Sequence, residues 1–290
     1  MYCDLHMHST ASDGTDPPGE LPRLARQAGM DAIALTDHDT TAGVEACAAA
    51  AAALDLAFVP GIELSARLHE VSPAVGAAGP LIQGVEMHLL GYFIDPDDAD
   101  LAAAQRWLVE ARAQRNPRLV ERLNDLGVRI GYEEVLARAG DGVVGRPHIA
   151  QLMVQKGYVR SLHEAFIRYI GEGGAAYQPK ARLTAARAIA VIHDAGGLAC
   201  LAHPVQLNVP DPDAVELLVR ALKELGLDAI ETHHSDHRQQ HVEHYQTLAK
   251  RFDLLVTGGS DYHGSHKACR IGQPSLPMSV YHRLAEAAGR

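Results

Sequence analysis

Short apolar runs recur along this chain, and nearly every one ends on histidine, aspartate or glutamate. Tyr2–His8 carries His6 and His8 and is followed by Asp13, Asp31–Thr36 leads into Asp37-His38, and Leu56–Val59 runs on through Gly61 to Glu63. Later, Leu198–Ala202 leads into His203, Asp228–Thr232 into His233-His234, and Leu254–Thr257 into Asp261 and His263. One run, Val85–Phe93, instead holds its histidine, His88, inside. Helical stretches lie between the runs, at Pro18–Ala28, Thr41–Leu54, Thr184–Ala195, Asp213–Leu225 and His237–Arg251. Strand alternating with helix predicts an α/β fold with a parallel sheet, open or closed into a barrel. Such folds assemble their active sites at the carboxyl ends of the strands. A core built only for packing has no reason to gather imidazoles and carboxylates there. Alternate residues of a strand share a face, so His6 and His8 can reach one divalent ion together.

Imidazole and carboxylate donors without thiolate suit Zn, Mn or Fe in a hydrolytic site rather than a structural Cys-type zinc. There are more donors than one ion needs, so two or three ions are expected, with a carboxylate such as Glu63 shared. Clusters of this kind activate water and neutralise oxygen charge during displacement at phosphorus. The four cysteines are scattered with no CxxC pair, which fits reduced thiols and a cytoplasmic setting. The N-terminus enters a strand at once and no apolar run has the length of a membrane span, so neither a signal peptide nor a membrane partner is expected.

Length and charge bound the partners. At 290 residues the chain suits one large domain, or one domain carrying an insertion. From about Asp97 to Lys180 helical periodicity replaces strand patterning, with helices expected at Asp98–Gln114, Pro117–Leu126, Tyr132–Ala139, Pro147–Lys156 and Ser161–Ile170. Val71–Gly84 reads as a surface loop or lid. The net charge of −10 argues against long nucleic acid. Yet residues 106–187 hold 14 Lys and Arg against 8 Asp and Glu, while the remainder is −16. An acidic body then serves metals, and a basic segment meets an anion.

His6-x-His8 with Asp13, Thr36-Asp37-His38, Glu63, His88, His203-Pro204 and Asp261-x-His263 together resemble the PHP (polymerase and histidinol phosphatase) family, over roughly residues 1–95 and 185–290. The resemblance implies a distorted (β/α)7 TIM-like barrel formed by 1–96 and 185–290, with an inserted all-helical domain at 97–184 capping the substrate. It also implies phosphoester hydrolysis at a di- or trinuclear centre, most readily of Mn²⁺. By motif, one ion takes His6, His8, Glu63 and Asp261, a second shares Glu63 and adds His88 and His203, and a third uses Asp13, His38 and His263. Asp13 stands where some members carry histidine. Glu63, His203, Asp261 and His263 are the catalytic candidates, with His203 or His263 stabilising the phosphoryl oxygens.

Arg112, Arg115-Asn116, Arg118 and Gly145-Arg146-Pro147-His148 resemble the branch of nucleoside 3′,5′-bisphosphate phosphatases, whose relatives trim short RNA from the 5′ end. Arginine suits a grip on a 5′-phosphate through bidentate contacts. Tyr177 is a candidate for base stacking, whereas Trp107 is expected to be buried. One of His233 and His234 can face the centre, and His233 is taken as a substrate contact. His237, His241 and His244, at helical spacing, are expected on the surface. The expected substrate is a nucleoside 3′,5′-bisphosphate losing its 3′-phosphate. The alternatives are a 5′-to-3′ exoribonuclease on short 5′-phosphorylated RNA, or a histidinol-phosphate phosphatase, which leaves the basic insertion unexplained.

Overall fold

The computed structural model describes residues 1–69, 79–140 and 142–290, so residues 71–78 of the expected loop lie outside the described part. Its strands are β1 (Tyr2–Asp4), β2 (Ala32–Leu35), β3 (Ala57–Arg67), β4 (Glu86–Tyr92), β5 (Leu183–Thr184), β6 (Leu198–Leu201), β7 (Ala229–His234), β8 (Leu255–Gly259) and β9 (Leu276–Pro277). The sheet runs β8-β7-β6-β4-β3-β2-β1-β9, with β5 appended to β3. The Leu5 N–H donates to the Gly258 carbonyl at 3.2 Å, and Met7 bridges Tyr262 in parallel, so the chain after β1 returns to β8. Seven strands thereby nearly close into a distorted TIM-like barrel.

The sheet is not wholly parallel, contrary to expectation. β4 runs antiparallel to both β3 and β6. Among the described residues no α-helix joins β3 to β4, so nothing forces the crossover that a parallel pair requires. The reversal explains the one exception in the strand-end pattern. Because β4 points the other way, its start lies where its neighbours finish, and His88 pairs with Ser65 beside the end of β3.

β1 is shorter than its apolar run, yet the alternation continues past it. Cys3, Leu5 and Met7 are fully buried in the apolar core, while Asp4, His6 and His8 turn the other way. Irregular bonds hold this stretch extended: the Thr36 N–H donates to Met7 O at 2.9 Å, the His8 N–H to Tyr262 O at 2.9 Å, and the Asp261 N–H to His6 O at 2.9 Å. Gly259 permits the contact, since a Cβ there would lie 2.5 Å from that of His6.

Helices α1 (Leu21–Gln27) and α2 (Val44–Ala52) link the first three strands. Where two helices were expected around Pro117, one helix, α3 (Ala99–Asp125), runs through it. Asp98 caps it, its carboxylate accepting from the Leu101 N–H at 2.8 Å. Leu101, Ala104 and Leu108 pack into the barrel core, and Leu119, Val120 and Leu123 into a second core of helical residues. Burial at both ends outweighs the lost hydrogen bond at Pro117. Between these anchors the same stripe carries Arg112, Arg115 and Asn116, all buried. The remaining helices of this layer are α4 (Tyr132–Ala139), α5 (Arg146–Gln155) and α6 (Leu162–Ala165), the last continuing into a π-turn over Phe166–Ile170. Helices α7 (Ala185–Asp194), α8 (Pro212–Glu224) and α9 (Gln239–Arg251) alternate with the later strands, and β9 with α10 (Met278–Ala287), for which no element was expected, packs across β1. Trp107 is 48% exposed, against the expectation of burial, because it falls off the stripe of α3.

Candidate metal centre and anion site

Glu63, fully buried on the long β3, is the hub. Its Oε2 lies 3.3 Å from His6 Nε2, 3.1 Å from His8 Nε2 and 3.1 Å from His38 Nδ1, and its Oε1 lies 2.8 Å from both His88 Nδ1 and His203 Nε2. Asp261 closes the next side, its Oδ1 lying 3.5 Å from His6 Nε2, 3.3 Å from His8 Nε2 and 3.3 Å from His263 Nδ1. Asp13 stands 3.3 Å from His263 Nε2 and 3.9 Å from His38 Nε2. The structure thus brings all nine expected ligands into one cluster, buried except at the half-buried His38 and His88. His203, Asp261 and Asp39 hold positive φ of 24°, 54° and 55°. Left-handed backbone at non-glycine residues costs on the order of 1–3 kcal/mol each, and here it re-aims side chains at strand ends.

The donors fit divalent ions. Among the described residues neither ring nitrogen of buried His8, nor Nδ1 of His38, makes a well-formed hydrogen bond, although Glu63 Oε2 lies 3.1 Å from both rings and buried polar atoms are normally satisfied. Ligand atoms of His8, Asp13, His38 and His263 lie within 4.8 Å of one another, as do those of His6, His8 and Asp261, of His6, Glu63 and His203, and of His38, Glu63 and His88. Burial opposes charge on Glu63, yet His38, His88 and His6 hold its carboxyl well below the usual range. Burial likewise opposes charge on His8, but the Asp261 and Glu63 carboxylates close to its ring hold its pKa up at about 9. Buried carboxylates kept ionised among imidazoles call for cations.

Further residues surround this centre, Glu231 and Lys267 among them unforeseen from the sequence. Glu231 contacts the His6 ring at 2.9 Å, and His234 reaches Asp261 Oδ2 at 3.2 Å. His234, not His233, therefore faces the centre. A register shift between Glu231 and His233 breaks the two-residue period of β7, leaving His233 half-buried against the Thr232 hydroxyl at 2.7 Å. The Lys267 ammonium pairs with Asp261 Oδ2. His237 is also not simply on the surface: Nδ1 donates to the Thr232 carbonyl at 2.9 Å, and burial pushes its pKa down to about 4.

A cavity of about 170 Å³ adjoins the ligands, walled by Asp13, His38 and His88 on one side and by Arg112, Arg115, Arg146 and Lys180 on the other. Arg112 pairs with Asp39, and Lys180 lies 3.6 Å from the same carboxylate. Arg182, nearby, pairs with Glu86. Among the described residues the Arg112 Nε and Arg115 Nη1 groups are buried without partners. Burial, then repulsion from Arg112, Arg146, Arg182 and Arg115, pushes the Lys180 ammonium well below its usual range. Burial and the same neighbours push Arg115 down to about 9. An anion would relieve both.

Besides His233, three expected substrate contacts take other places. Asn116 is fully buried, its Oδ1 accepting from Arg115 Nη2 at 2.7 Å and its Nδ2 donating to Val144 O at 2.9 Å, so it braces Arg115. Arg118 is exposed, because three residues beyond Arg115 the helix has turned it off the buried stripe. Tyr177 is half-buried and does not line this cavity.

Strand ends that converge on ion-ready carboxylates, next to a cationic cavity, are the equipment of a metal-dependent phosphoesterase. The family model for the PHP domain matches residues 4–202, and the chain belongs to that family. A 5′-3′ exoribonuclease of Haemophilus influenzae is 32% identical over 90% of this chain and 89% of its own length. A phosphoribosyl 1,2-cyclic phosphate 1,2-diphosphodiesterase of Eggerthella lenta is 33% identical over 91% and 95%, and a 3′,5′-nucleoside bisphosphate phosphatase of Chromobacterium violaceum 28% identical over 90% and 86%. Among solved structures, a Bifidobacterium adolescentis protein described as a metal-dependent phosphoesterase superposes with a TM-score of 0.84 at 30% identity, covering 98% of this chain and 95% of its own. Among the described residues no helix is long and apolar enough to cross a membrane.

Proposed function

We propose that this enzyme hydrolyses the 3′-phosphate of nucleoside 3′,5′-bisphosphates. The observation that carries the reading is one cavity with metal-type ligands on one wall and, on the other, guanidinium groups with buried nitrogens that have no partner among the described residues. A substrate with two phosphates on one ribose satisfies both walls. The 5′-phosphate is held by Arg112, Arg115, Arg146 and Lys180, with Asn116 fixing the Arg115 fork. Arg146 is steadied by its bond to Ile170 O at 3.2 Å and by the Phe166 ring 5.6 Å away. The 3′-phosphate then lies toward Asp13, His38 and His88.

Two or three Mn²⁺ ions are the expected occupants, held by His6, His8, Glu63 and Asp261, by Glu63, His88 and His203, and by Asp13, His38 and His263; when bound they supply water activation and charge neutralisation at phosphorus. The protein's own part is orientation and burial. Glu63 and Asp261 stay ionised, and the cationic wall draws the 5′-phosphate in. Water oxygen bonds to phosphorus, the P–O3′ bond breaks, and the 3′-oxygen leaves with a proton. Incubating the Mn²⁺-loaded protein with adenosine 3′,5′-bisphosphate is expected to give AMP and phosphate in equal amounts. Folded protein that releases no phosphate with Mn²⁺, Zn²⁺ or Fe²⁺ would sink the proposal.

One observation favours a second reading, 5′-to-3′ removal of nucleotides from short 5′-phosphorylated RNA. A second cavity, of about 1150 Å³, opens beyond Asp261 and shares Phe166 with the first. Gln206, His234, His237 and Lys267 line it. It exceeds the roughly 300–1,000 Å³ of a drug-sized pocket and has room for a nucleotide attached to the phosphoryl group. The same bond would break, leaving the phosphate on the shortened chain. A labelled 5′-phosphorylated tetranucleotide distinguishes the readings, since stepwise mononucleotide release requires the second cavity to be used.

A further inference from the structure

We propose that Glu231 and His234 form a positioning layer beneath the centre, which orients His6, His203 and Asp261 without taking an ion itself. The inference rests on the metal-dependent reading of the site and is independent of which phosphoester is the substrate.

The irregularity of β7 builds this layer. In a regular strand Glu231 would share a face with His233. The register shift between them brings Glu231 and His234, three residues apart, to the same inward side instead. Both are buried, Glu231 completely.

Their atoms are already committed. Glu231 Oε1 lies 2.9 Å from His6 Nδ1, and Oε2 accepts the backbone N–H of His203 at 2.6 Å. His6 therefore carries its proton on Nδ1, which leaves the Nε2 lone pair directed at Glu63 and Asp261. Through the second oxygen, the same carboxylate pins the backbone of His203, where φ is 24°. One buried glutamate thus steadies a ligand of each of two expected ions. His234 acts on a third ligand. Its Nδ1 accepts from the Asp236 N–H at 3.0 Å, so Nε2 carries the proton and donates to Asp261 Oδ2 at 3.2 Å. Asp261 Oδ1 is left facing His6, His8 and His263.

His6, Glu231 and His234 are close enough together to look like a metal site of their own. Their hydrogen bonds argue otherwise, since the two Glu231 oxygens and both nitrogens of His234 are in use. Partners that fix the tautomer and orientation of a ligand commonly change metal affinity about 10- to 100-fold when mutated.

The test is Mn²⁺ binding by calorimetry and chelator competition, with the bound metal counted by mass spectrometry. Glu231→Gln can accept one of the two N–H groups but not both, so affinity is expected to fall about 10- to 100-fold while the count at saturation stays at the wild-type value. His234→Ala is expected to weaken binding, and His234→Gln, which keeps a donor toward Asp261, to restore most of it. This pair carries the test if the Glu231 variant fails to fold. Unchanged affinity in folded variants overturns the proposal, as does loss of a whole metal equivalent at saturation, which would make Glu231 or His234 a ligand. Nucleotide turnover does not enter the readout, so failure of the substrate assignment leaves this result intact.

Discussion

The two walls of the candidate site are built in opposite ways. Strand ends supply the metal wall, each contributing one or two ligands to a cluster already braced by Glu231, Asp37 and the barrel backbone. The Ser9 N–H and hydroxyl both donate to Asp37, at 2.7 and 2.6 Å, and set the loop that carries Asp13. The cationic wall comes mainly from the helical layer, with two members on the middle of α3, held by apolar anchors at its ends. Charge in the metal wall is carried by carboxylates that face imidazoles and call for cations. In the cationic wall it is left unbalanced, since among the described residues Arg115 and Arg146 lack a carboxylate partner and Arg112 and Lys180 share Asp39. The contrast separates chemistry from recognition: one wall requires ions to be complete, and the other requires the substrate.

Removing the hub should break the metal wall alone. Glu63→Gln deletes a charge shared by five histidines, and turnover is expected to fall on the order of 10³-fold or more, equivalent to about 4 kcal/mol of lost stabilisation at phosphorus. Metal content should fall with it, while binding of a nucleoside 5′-monophosphate, which needs only the cationic wall, should change little. Chelation should reproduce the loss, and added Mn²⁺ should reverse it in the native protein but not in the variant. If nucleotide binding collapses as well, the walls are not separable.

The reciprocal experiment is Arg115→Met. A hydrogen bond to a charged group contributes about 1.5–3 kcal/mol, so KM for the bisphosphate is expected to rise about 10- to 100-fold with metal affinity unchanged. Hydrolysis of a nucleoside 3′-monophosphate, which has no 5′-phosphate to hold, should be indifferent to the substitution. Asn116→Ala, which loosens the fork without removing it, should give a smaller shift in the same direction.

Lys180 tests the unbalanced charge through stability. Its folded pKa lies well below the usual value of about 10.4, so the charged form penalises the fold. That penalty is complete below the folded pKa and fades as pH climbs from there toward the unfolded value, because over that range the unfolded chain binds more protons. Lys180→Met should therefore raise the melting temperature at pH 7 by about 2–4 °C, with the gain shrinking near pH 10. It should also weaken nucleotide binding several-fold. A variant less stable at pH 7 would mean that the Ser65 and Asp39 contacts outweigh burial.

How far each wall can be read from sequence follows from the same contrast. His6 and His8 were legible because the two-residue period survives even where β1 has formally ended. His88 broke the strand-end pattern only because β4 is reversed, a fact set by connectivity rather than by local residues. Glu231 was hidden by the opposite failure, since the irregularity in β7 puts residues three apart on one side. The left-handed turns at His203 and Asp261 depend on bonds to partners distant in sequence, the Glu231 carboxylate and the His6 carbonyl, and leave no local mark. The cationic wall was legible as a sum but not by member. Net charge pointed to the segment, yet Lys180 and Arg182 enter through the connection to β5, and Asn116 turned inward to brace its neighbour. Helix α3 continued through Pro117 because apolar burial at both ends overrode a local breaker.

Arg118 draws the line between a built pocket and a diffuse field. It lies three residues from Arg115 on the same helix, carries the same charge and is exposed. If the +6 excess of residues 106–187 acts as a field, Arg118 should matter nearly as much as its neighbour. If recognition depends on desolvated guanidinium groups, water and salt screen Arg118 from the cavity within a Debye length of about 8 Å at physiological ionic strength. The structure favours the second account, because the unpartnered donors belong to Arg112 and Arg115, inside the stripe. Arg118→Ala is therefore expected to change KM by less than about twofold at 0.15 M salt, with a small increase emerging only at low ionic strength, where screening weakens. Measuring KM across a salt series for Arg115→Met and Arg118→Ala side by side decides the matter, since equal effects that vanish together in high salt would dissolve the distinction between the two walls into charge alone.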